Sequence, residues 1–244
     1  MTQQPSIGDR PVEGGGTPGF RMIRTLGLIA MLSGLLVVLV YQFTKPIIAD
    51  NQRRAVEAAV FEVVPGASGK LNLRIDAAGV TPEAAGGAGE LVYAAHDADG
   101  ALLGVAVLAA AQGYQDVIRL LVGFDPGCEC VRGFKVMRMT ETPGLGDKIA
   151  TDPAFLANFA PLDATVAPGG EGLANAIVTV KAGSKQQPWE IDAISGATVS
   201  SVAVGKAMNQ ALQRLAPLIV AHRAAIAEAV RSAAAGQAAP KAAP

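Results

Sequence analysis

The segment DAISGATVSS, which begins at Asp192, combines a turn with hydroxyl side chains and could hold a phosphate group. Ser195 and Gly196 predict a turn, after which Thr198 or Ser200 could cap the helix that the following pattern predicts. The first turn of a helix carries unpaired N–H groups and a partial positive charge, which favour a phosphate. The residues are therefore compatible with a phosphate held by, or bonded to, the Thr198 hydroxyl. They leave open an ordinary capped helix without a ligand.

A second segment, ETPGLGD from Glu141 to Asp147, places a proline and two glycines after a predicted strand. Turn residues of this kind occur in many strand-to-helix loops. Glycine also allows a backbone to approach a flat ligand closely. The segment alone does not decide between these two interpretations.

Composition argues against several other kinds of chemistry. The chain has 2 Cys and 2 His, too few for a usual zinc site or an Fe–S cluster held by this chain alone. His96 and His222 are interpreted as solvated surface residues, so no Ser-His-Asp set and no catalytic residue is predicted. With 20 Lys+Arg against 21 Asp+Glu, the chain gives no reason to expect nucleic-acid binding.

An apolar segment near the N-terminus predicts that these motifs belong to a membrane protein. Residues 25–44 contain no charged residue, and their length suits one helical crossing of a bilayer core of roughly 30 Å. Arginines at 10, 21 and 24 precede this segment and place the N-terminus in the cytoplasm by the positive-inside rule, although basic residues also follow it. A cleaved signal peptide and a buried soluble helix are the alternatives.

The predicted organisation follows from this span. Residues 1–24 form a disordered cytoplasmic tail, 25–44 a transmembrane helix, 45–233 an extracytoplasmic domain and 234–244 a disordered tail. The location is the cell inner (cytoplasmic) membrane, crossed once.

The elements of the outer domain are predicted from short apolar segments. They are separated by turn signals such as DADG, QGYQD and DPG, which is typical of an antiparallel meander. A helical pattern follows from Thr198, with Pro217 as a candidate kink. The predicted fold class is α+β, an antiparallel sheet with packed helices, preceded by one N-terminal transmembrane helix.

Cys128 and Cys130 form a C-x-C pair that would meet an oxidising compartment. Side chains alternate along a strand, so the pair would make a strained disulfide at best. We interpret the cysteines as structurally incidental, with a redox or intermolecular role as the alternative.

The two motifs together resemble the FMN-binding domain family. ETPGLGD and D-x-x-S-G-A-T lie about fifty residues apart behind one N-terminal span. The resemblance is strongest to the G subunit of the Rnf ion-translocating electron-transport complex, to which the C subunit of the Na⁺-pumping NADH:quinone oxidoreductase is related. It covers roughly residues 25–215 and includes GYQDVIRLLVG.

The resemblance implies a covalent cofactor. Thr198 would be esterified by the phosphate of FMN, in a bond made by a separate flavin transferase that uses FAD and Mg²⁺. Asp192, Ser195, Gly196 and Ala197 would be the sequence that this transferase reads.

The resemblance also implies residues near the isoalloxazine ring and a role in a complex. Glu141, Thr142, Gly144 and Leu145 would lie near the ring, with Thr142 and Leu145 in direct contact. Tyr114 is a weaker candidate, and a half-buried strand tyrosine is its alternative. The implied function is electron relay alongside other membrane subunits of an ion-translocating oxidoreductase. The alternatives are a flavinylated subunit of another extracytoplasmic electron-transfer system and a flavin-free assembly subunit.

Overall fold

The computed structural model describes residues 19–86 and 89–238, which divide into two compact units. The first unit runs as far as Gln52, and the second begins at Arg53. Residues 19–24 and 234–238, which the sequence pattern assigned to terminal tails, are helical, and the remainder of each tail lies outside the described residues.

The helix α1 (Gly19–Val63) contains the predicted membrane span. Its best window has a mean hydropathy of 2.3 and is 0% buried, so by length and composition it can cross a membrane. Thr25 and Thr44 donate their hydroxyl protons to the carbonyls of Arg21 and Val40, at 2.8 and 2.9 Å. The helix therefore satisfies these polar groups internally, as an apolar surrounding requires.

The second unit is built on a seven-stranded antiparallel sheet in the order β2-β1-β3-β4-β5-β6-β7. The strands are β1 (Gly69–Asp76), β2 (Gly79–Pro82), β3 (Glu90–His96), β4 (Leu102–Gln112), β5 (Val117–Asp125), β6 (Cys130–Arg138) and β7 (Leu162–Asp163). From β3 to β6 each strand pairs with the next one in the chain, as the turn signals predicted. The antiparallel meander and the α+β class are confirmed.

The remaining elements follow the meander. A parallel pair consists of β8 (Val178–Val180) and β9 (Glu190–Asp192). The α-helices are α2 (Pro153–Leu156), α3 (Thr198–Ala221) and α4 (Arg223–Ala238), and short 3₁₀ helices cover Glu83–Ala85, Gly146–Ala150 and Ala157–Phe159. Pro217 does not end α3, which continues to Ala221.

The two faces of the sheet bury different partners. On one face, alternate strand residues such as Val107 and Leu120 share the main core with α3, which contributes small residues such as Ala207 and Ala211. On the other face, the last turns of α1 form a second cluster around Val60, with Tyr93, Ala106 and Leu121 among its members. Burial raises the pKa of the Tyr93 phenol.

Gly123 allows the end of α1 to lie directly on the sheet. A Cβ at this position would overlap the carbonyl oxygen of Val63, so neither backbone can stay in place. We expect Gly123→Ala to lower the free energy of unfolding by about 1–3 kcal/mol, the usual cost of overpacking. The measurement is the urea midpoint of the full chain in detergent.

Gly133 provides the matched control for this substitution. It faces Gly123 across the β5–β6 pair, and a Cβ there would lie 3.7 Å from the Val63 oxygen, an ordinary contact. Gly133→Ala should leave the midpoint unchanged or raise it slightly, because alanine restricts the unfolded chain more than glycine does. Equal midpoints for the two variants would contradict the packing argument.

The two cysteines form the disulfide that the sequence left open. Cys128 and Cys130 are joined by a disulfide, with their Cα atoms 5.2 Å apart. Cys128 precedes β6, and Glu129 between them has a φ of +51°, so the alternation of side chains along a strand does not apply here. The carbonyl and the carboxylate of Glu129 accept hydrogen bonds from Ala164 N and Val166 N, at 3.0 and 2.7 Å.

Candidate functional site

A cavity of about 510 Å³ lies between the β4–β5 turn, the loop that follows β6 and the N-terminus of α3. This volume is in the range of small-molecule and cofactor sites. Its walls bring both sequence motifs together with the turn before β5. The lining residues are Tyr114, Glu141, Thr142, Leu145, Gly146, Gly196, Ala197, Thr198, Val199 and Ser200.

Thr198 is the first residue of α3 and is exposed on the cavity wall. The residue at the N-cap is Ala197, which makes no side-chain cap, so the prediction that Thr198 or Ser200 caps the helix is wrong. Ser201 closes the turn instead: its hydroxyl donates to Ala197 O at 2.9 Å and accepts from Ile194 N at 3.1 Å. The Thr198 hydroxyl is therefore not needed to hold the helix start.

The start of α3 also has unpaired donors. Ser201 N donates to Ala197 O at 2.9 Å, whereas the N–H groups of Thr198, Val199 and Ser200 have no partner within the described chain. The Thr198 hydroxyl likewise has none among those residues. Three free N–H groups at the positive end of a 24-residue helix form an environment that favours a phosphate.

Glu141 links three walls of the cavity. Its side chain is buried, and Oε1 accepts hydrogen bonds from Tyr114 N at 3.0 Å and Gln115 N at 3.3 Å. Oε2 accepts from the hydroxyl of Ser200, which is also buried, at 2.5 Å. The carboxylate thus holds the β4–β5 turn and the first turn of α3 against its own loop.

Two glycines of the ETPGLGD loop meet different requirements. Gly144 has a φ of +78°, which side chains with a Cβ rarely adopt, but it lines neither of the two cavities that the motifs reach. Gly146 lies on the cavity wall, where a Cβ would approach Ser200 Oγ to 2.7 Å and Glu141 Cβ to 2.8 Å. The backbone of this loop therefore comes close to neighbouring side chains at Gly146, a residue that sequence reasoning did not single out.

The rim of the cavity is apolar and open to solvent. Tyr114, Leu145 and Val199 are 69%, 49% and 53% exposed. Tyr114 lies in the turn after β4, so it is not the half-buried strand tyrosine considered as its alternative. Large exposed apolar groups gathered around one cavity are typical of a ligand surface. Beside them, Gln115 Nε2 donates to Thr142 Oγ1 at 3.1 Å.

Asp192 and Ser195 lie elsewhere, on a neighbouring cavity of about 410 Å³ whose wall also includes Lys148, Asp152 and Asn158. The Asp192 carboxylate accepts from Ser184 N and Lys185 N, both at 3.0 Å. Its backbone N–H donates to Asn158 Oδ1 at 3.1 Å. In the folded chain Asp192 therefore holds the loop between β8 and β9. Hydrogen bonds from the N–H groups of Gln186 and then Gln187 in this loop lower the pKa of the Glu190 carboxyl at the start of β9.

We expect Asp192→Ala to loosen the β8–β9 loop without unfolding the domain. Two N–H groups would lose their acceptor, at a cost of about 1 kcal/mol because water reaches the loop. Amide hydrogen exchange at residues 184 and 185 should accelerate several-fold. Asp76→Ala is the matched control, because Asp76 also accepts from two backbone N–H groups, those of Ala78 and Gly79, but in the distant β1–β2 turn. An unchanged exchange rate at 184 and 185 in Asp192→Ala would contradict this role.

Comparisons with known proteins identify an FMN-binding domain that follows a long N-terminal helix. The FMN-binding domain family matches residues 113–213, which contain every residue of the first cavity. The RnfG N-terminal region matches residues 24–63, which lie within α1.

Relatives identify the family, and a solved structure shares the fold. The G subunit of the ion-translocating oxidoreductase complex of Methanosarcina acetivorans is 31% identical over 195 residues, covering 79% of this chain and 92% of that protein. The corresponding protein of Escherichia coli K12 is 31% identical over 188 residues, covering 77% and 86%. The crystal structure of Shewanella oneidensis NqrC shares the fold, with a TM-score of 0.52, 18% identity and coverage of 75% and 99%. This chain belongs to the family of G subunits of ion-translocating oxidoreductase complexes, as the motifs predicted.

Proposed function

We propose that this chain is a membrane-anchored electron-transfer subunit that carries FMN through a phosphoester to Thr198, in an Rnf-type ion-translocating oxidoreductase complex. The observation that carries the proposal is the position of Thr198. The residue is exposed and lies on a cavity wall beside three free N–H groups, and its hydroxyl has no partner in the described chain.

The residues around Thr198 fit FMN. The free N–H groups at the start of α3 suit the phosphate. The exposed surfaces of Tyr114, Leu145 and Val199 suit a planar aromatic ring, and the 510 Å³ cavity can accommodate it. When bound, FMN supplies the exchange of one or two electrons. The chain itself contributes the anchor, the apolar rim and the Glu141 hydrogen bonds that fix the walls.

The attachment step requires a second protein. Thr198 Oγ1 forms a bond to the FMN phosphorus of FAD, while the bond between the two phosphates of FAD breaks. The hydroxyl proton is released, and AMP is the leaving group. A flavin transferase that holds FAD and Mg²⁺ would catalyse this exchange, with Asp192, Ser195, Gly196 and Ala197 as the sequence that it reads. No oxidation or reduction takes place in this step.

The proposed location is supported by the apolar helix α1 and by the similarity to subunits of ion-translocating complexes. The helix is apolar and long enough to cross a membrane, and Arg21 and Arg24 precede its apolar part. We place the N-terminus in the cytoplasm and the FMN domain outside it, in a single-pass protein of the inner membrane. Its partners are then the other membrane subunits of the complex.

The test is to express the full chain with and without a flavin transferase and to separate the membranes on a denaturing gel. Ultraviolet excitation should reveal a fluorescent band at the position of the chain only when the transferase is present. A dark band from intact protein in both cultures would contradict the proposal and leave a flavin-free assembly subunit.

A further inference from the structure

Part of the sheet face that α1 packs against is exposed and carries two arginines. Ala110 of β4, Arg119 of β5 and Arg138 of β6 are direct partners across the three strands, and all three are exposed. Their strand neighbours Ala109, Ile118 and Leu120 face the core under α3. Leu108 is 42% exposed on the same side as Ala110. We call Leu108, Ala110, Arg119 and Arg138 the arginine face.

The two arginines of this face have no counter-charge within the described residues. Neither Arg119 nor Arg138 makes an ion pair or a side-chain hydrogen bond there. Like charges that face each other directly across a strand pair are destabilising. By contrast, Arg132 of β6 pairs with Asp125 at 3.2 Å. The nearest acids in the sequence, Asp116 and Glu141, accept hydrogen bonds from other groups. An acidic group from another molecule would offset the repulsion.

Beside the arginine face, β4 has a free edge. Among the described residues, the β3–β4 ladder ends at the Val92–Val107 pair, and Leu108 to Gln112 of β4 pair only with β5. A groove of about 280 Å³ runs along this edge. It is lined by Leu108, Ala109, Ala110, Arg119, Ala207, Gln210, Ala211 and Arg214. A free strand edge with small side chains suits an extended polypeptide, which can add as a further strand.

The free edge leads to the flavin site. β4 ends at Gln112, and the turn that follows is closed by a hydrogen bond from Gly113 N to Asp116 O at 2.9 Å. Tyr114 in this turn lines the first cavity. It is four residues beyond Ala110, or roughly 13 Å of extended chain at about 3.3 Å per residue. A polypeptide bound along the edge would therefore end beside the cavity.

We propose that the arginine face and the free edge of β4 dock an acidic, extended segment of the protein that exchanges electrons with the flavin. The inference rests on the proposed function. The strand edge favours a protein over a membrane surface, because lipid headgroups make no use of unpaired backbone groups. The two arginines supply the charge complementarity that steers such an encounter and sets its orientation.

The first test reverses the charges of the two arginines of the arginine face, in the full chain within its complex. In native membranes, Arg119→Glu with Arg138→Glu should slow electron exchange with the covalent flavin roughly tenfold, since steering contributes at least that factor at low salt. The wild-type rate should fall as salt is added, and the variant rate should not. The control is Arg132→Glu with Arg231→Glu, which changes the net charge equally and should behave as wild type. Both arginines lie outside the arginine face: Arg132 pairs with Asp125, and Arg231 of α4 pairs with Glu228.

The readouts separate this inference from the proposed function. The denaturing-gel fluorescence of the double variant should equal that of the wild type, since neither arginine lies on the cavity that contains Thr198. Equal electron-exchange rates in the double variant and in the wild type would overturn the docking site. A wild-type chain without flavin fluorescence would overturn the proposed function instead.

The second test identifies what covers the surface and does not depend on the folding of a charge variant. A photo-crosslinking amino acid at Ala110, in the intact complex, should label another subunit within a segment rich in Asp or Glu. The same amino acid at the exposed Lys181 should not label that segment. Labelling only of lipid, or of no protein, would overturn the proposal.

Discussion

Thr198→Ala is expected to remove all covalent flavin from the chain. The substitution deletes the Oγ1 that would accept the FMN phosphate in the proposed attachment. The helix should remain intact, because its first turn is closed by Ser201 and not by Thr198. In-gel fluorescence of the chain should fall to background, while its thermal midpoint should change by no more than the ~0.5 kcal/mol typical of an exposed substitution.

Thr198→Ser is the matched control for this experiment. It keeps a hydroxyl at the first position of α3 and should retain covalent flavin, although a transferase that contacts the methyl group would load it more slowly. The other hydroxyl on this cavity wall in the first turn of α3 belongs to Ser200. It differs from that of Thr198 because it is buried and bonded to Glu141. Fluorescence that persists in Thr198→Ala would place the attachment on another residue, and peptide mass spectrometry would locate it.

Glu141→Ala is expected to cause the largest loss of stability among the cavity residues. It removes the acceptor of two backbone N–H groups and of the Ser200 hydroxyl, in a buried position. A donor left without a partner away from water costs about 1–3 kcal/mol, and water can reach part of the space left by the side chain. We expect a loss of about 3 kcal/mol in the free energy of unfolding, measured as a shift of the urea midpoint.

Glu141→Gln tests the hydrogen-bond explanation. Its amide oxygen can still accept from Tyr114 N and Gln115 N, and its NH₂ group can donate to Ser200, so a loss of about 1 kcal/mol is expected. Glu62→Ala removes a carboxylate that forms an exposed ion pair with Lys135, and it should cost less than about 1 kcal/mol. A Glu141→Ala midpoint equal to that of Glu62→Ala would show that the buried link contributes little.

The elements that the sequence predicted well depend on local patterns. Turn signals between short apolar segments predicted the antiparallel meander. The change to a helical pattern at Thr198 coincides with the start of α3. The resemblance based on two motifs predicted the family, which the relatives confirm. The apolar segment predicted a helix that is able to cross a membrane, and α1 meets that description.

What the sequence did not predict depends on contacts between distant residues. The bond from Ser200 to Glu141 joins residues 59 positions apart, and neither motif alone indicates that the two meet. Asp192 belongs to the attachment motif by spacing, yet its carboxylate bonds to the loop before β9, which only the folded chain brings near. The disulfide could not be decided from the sequence for a local reason, because the left-handed conformation of Glu129 does not follow from the residue type.

The closure of the attachment turn by Ser201 has a consequence for the order of events in the cell. The hydroxyl of Ser201 and the carboxylate of Glu141 are the chain's own groups, and they hold the start of α3 and the cavity walls without help from a ligand. The proposed acceptor, Thr198, therefore lies on a surface that the chain's own contacts complete. Under the proposed function, attachment of FMN can then follow folding, and a reserve of folded, unloaded subunits can be completed whenever flavin supply allows.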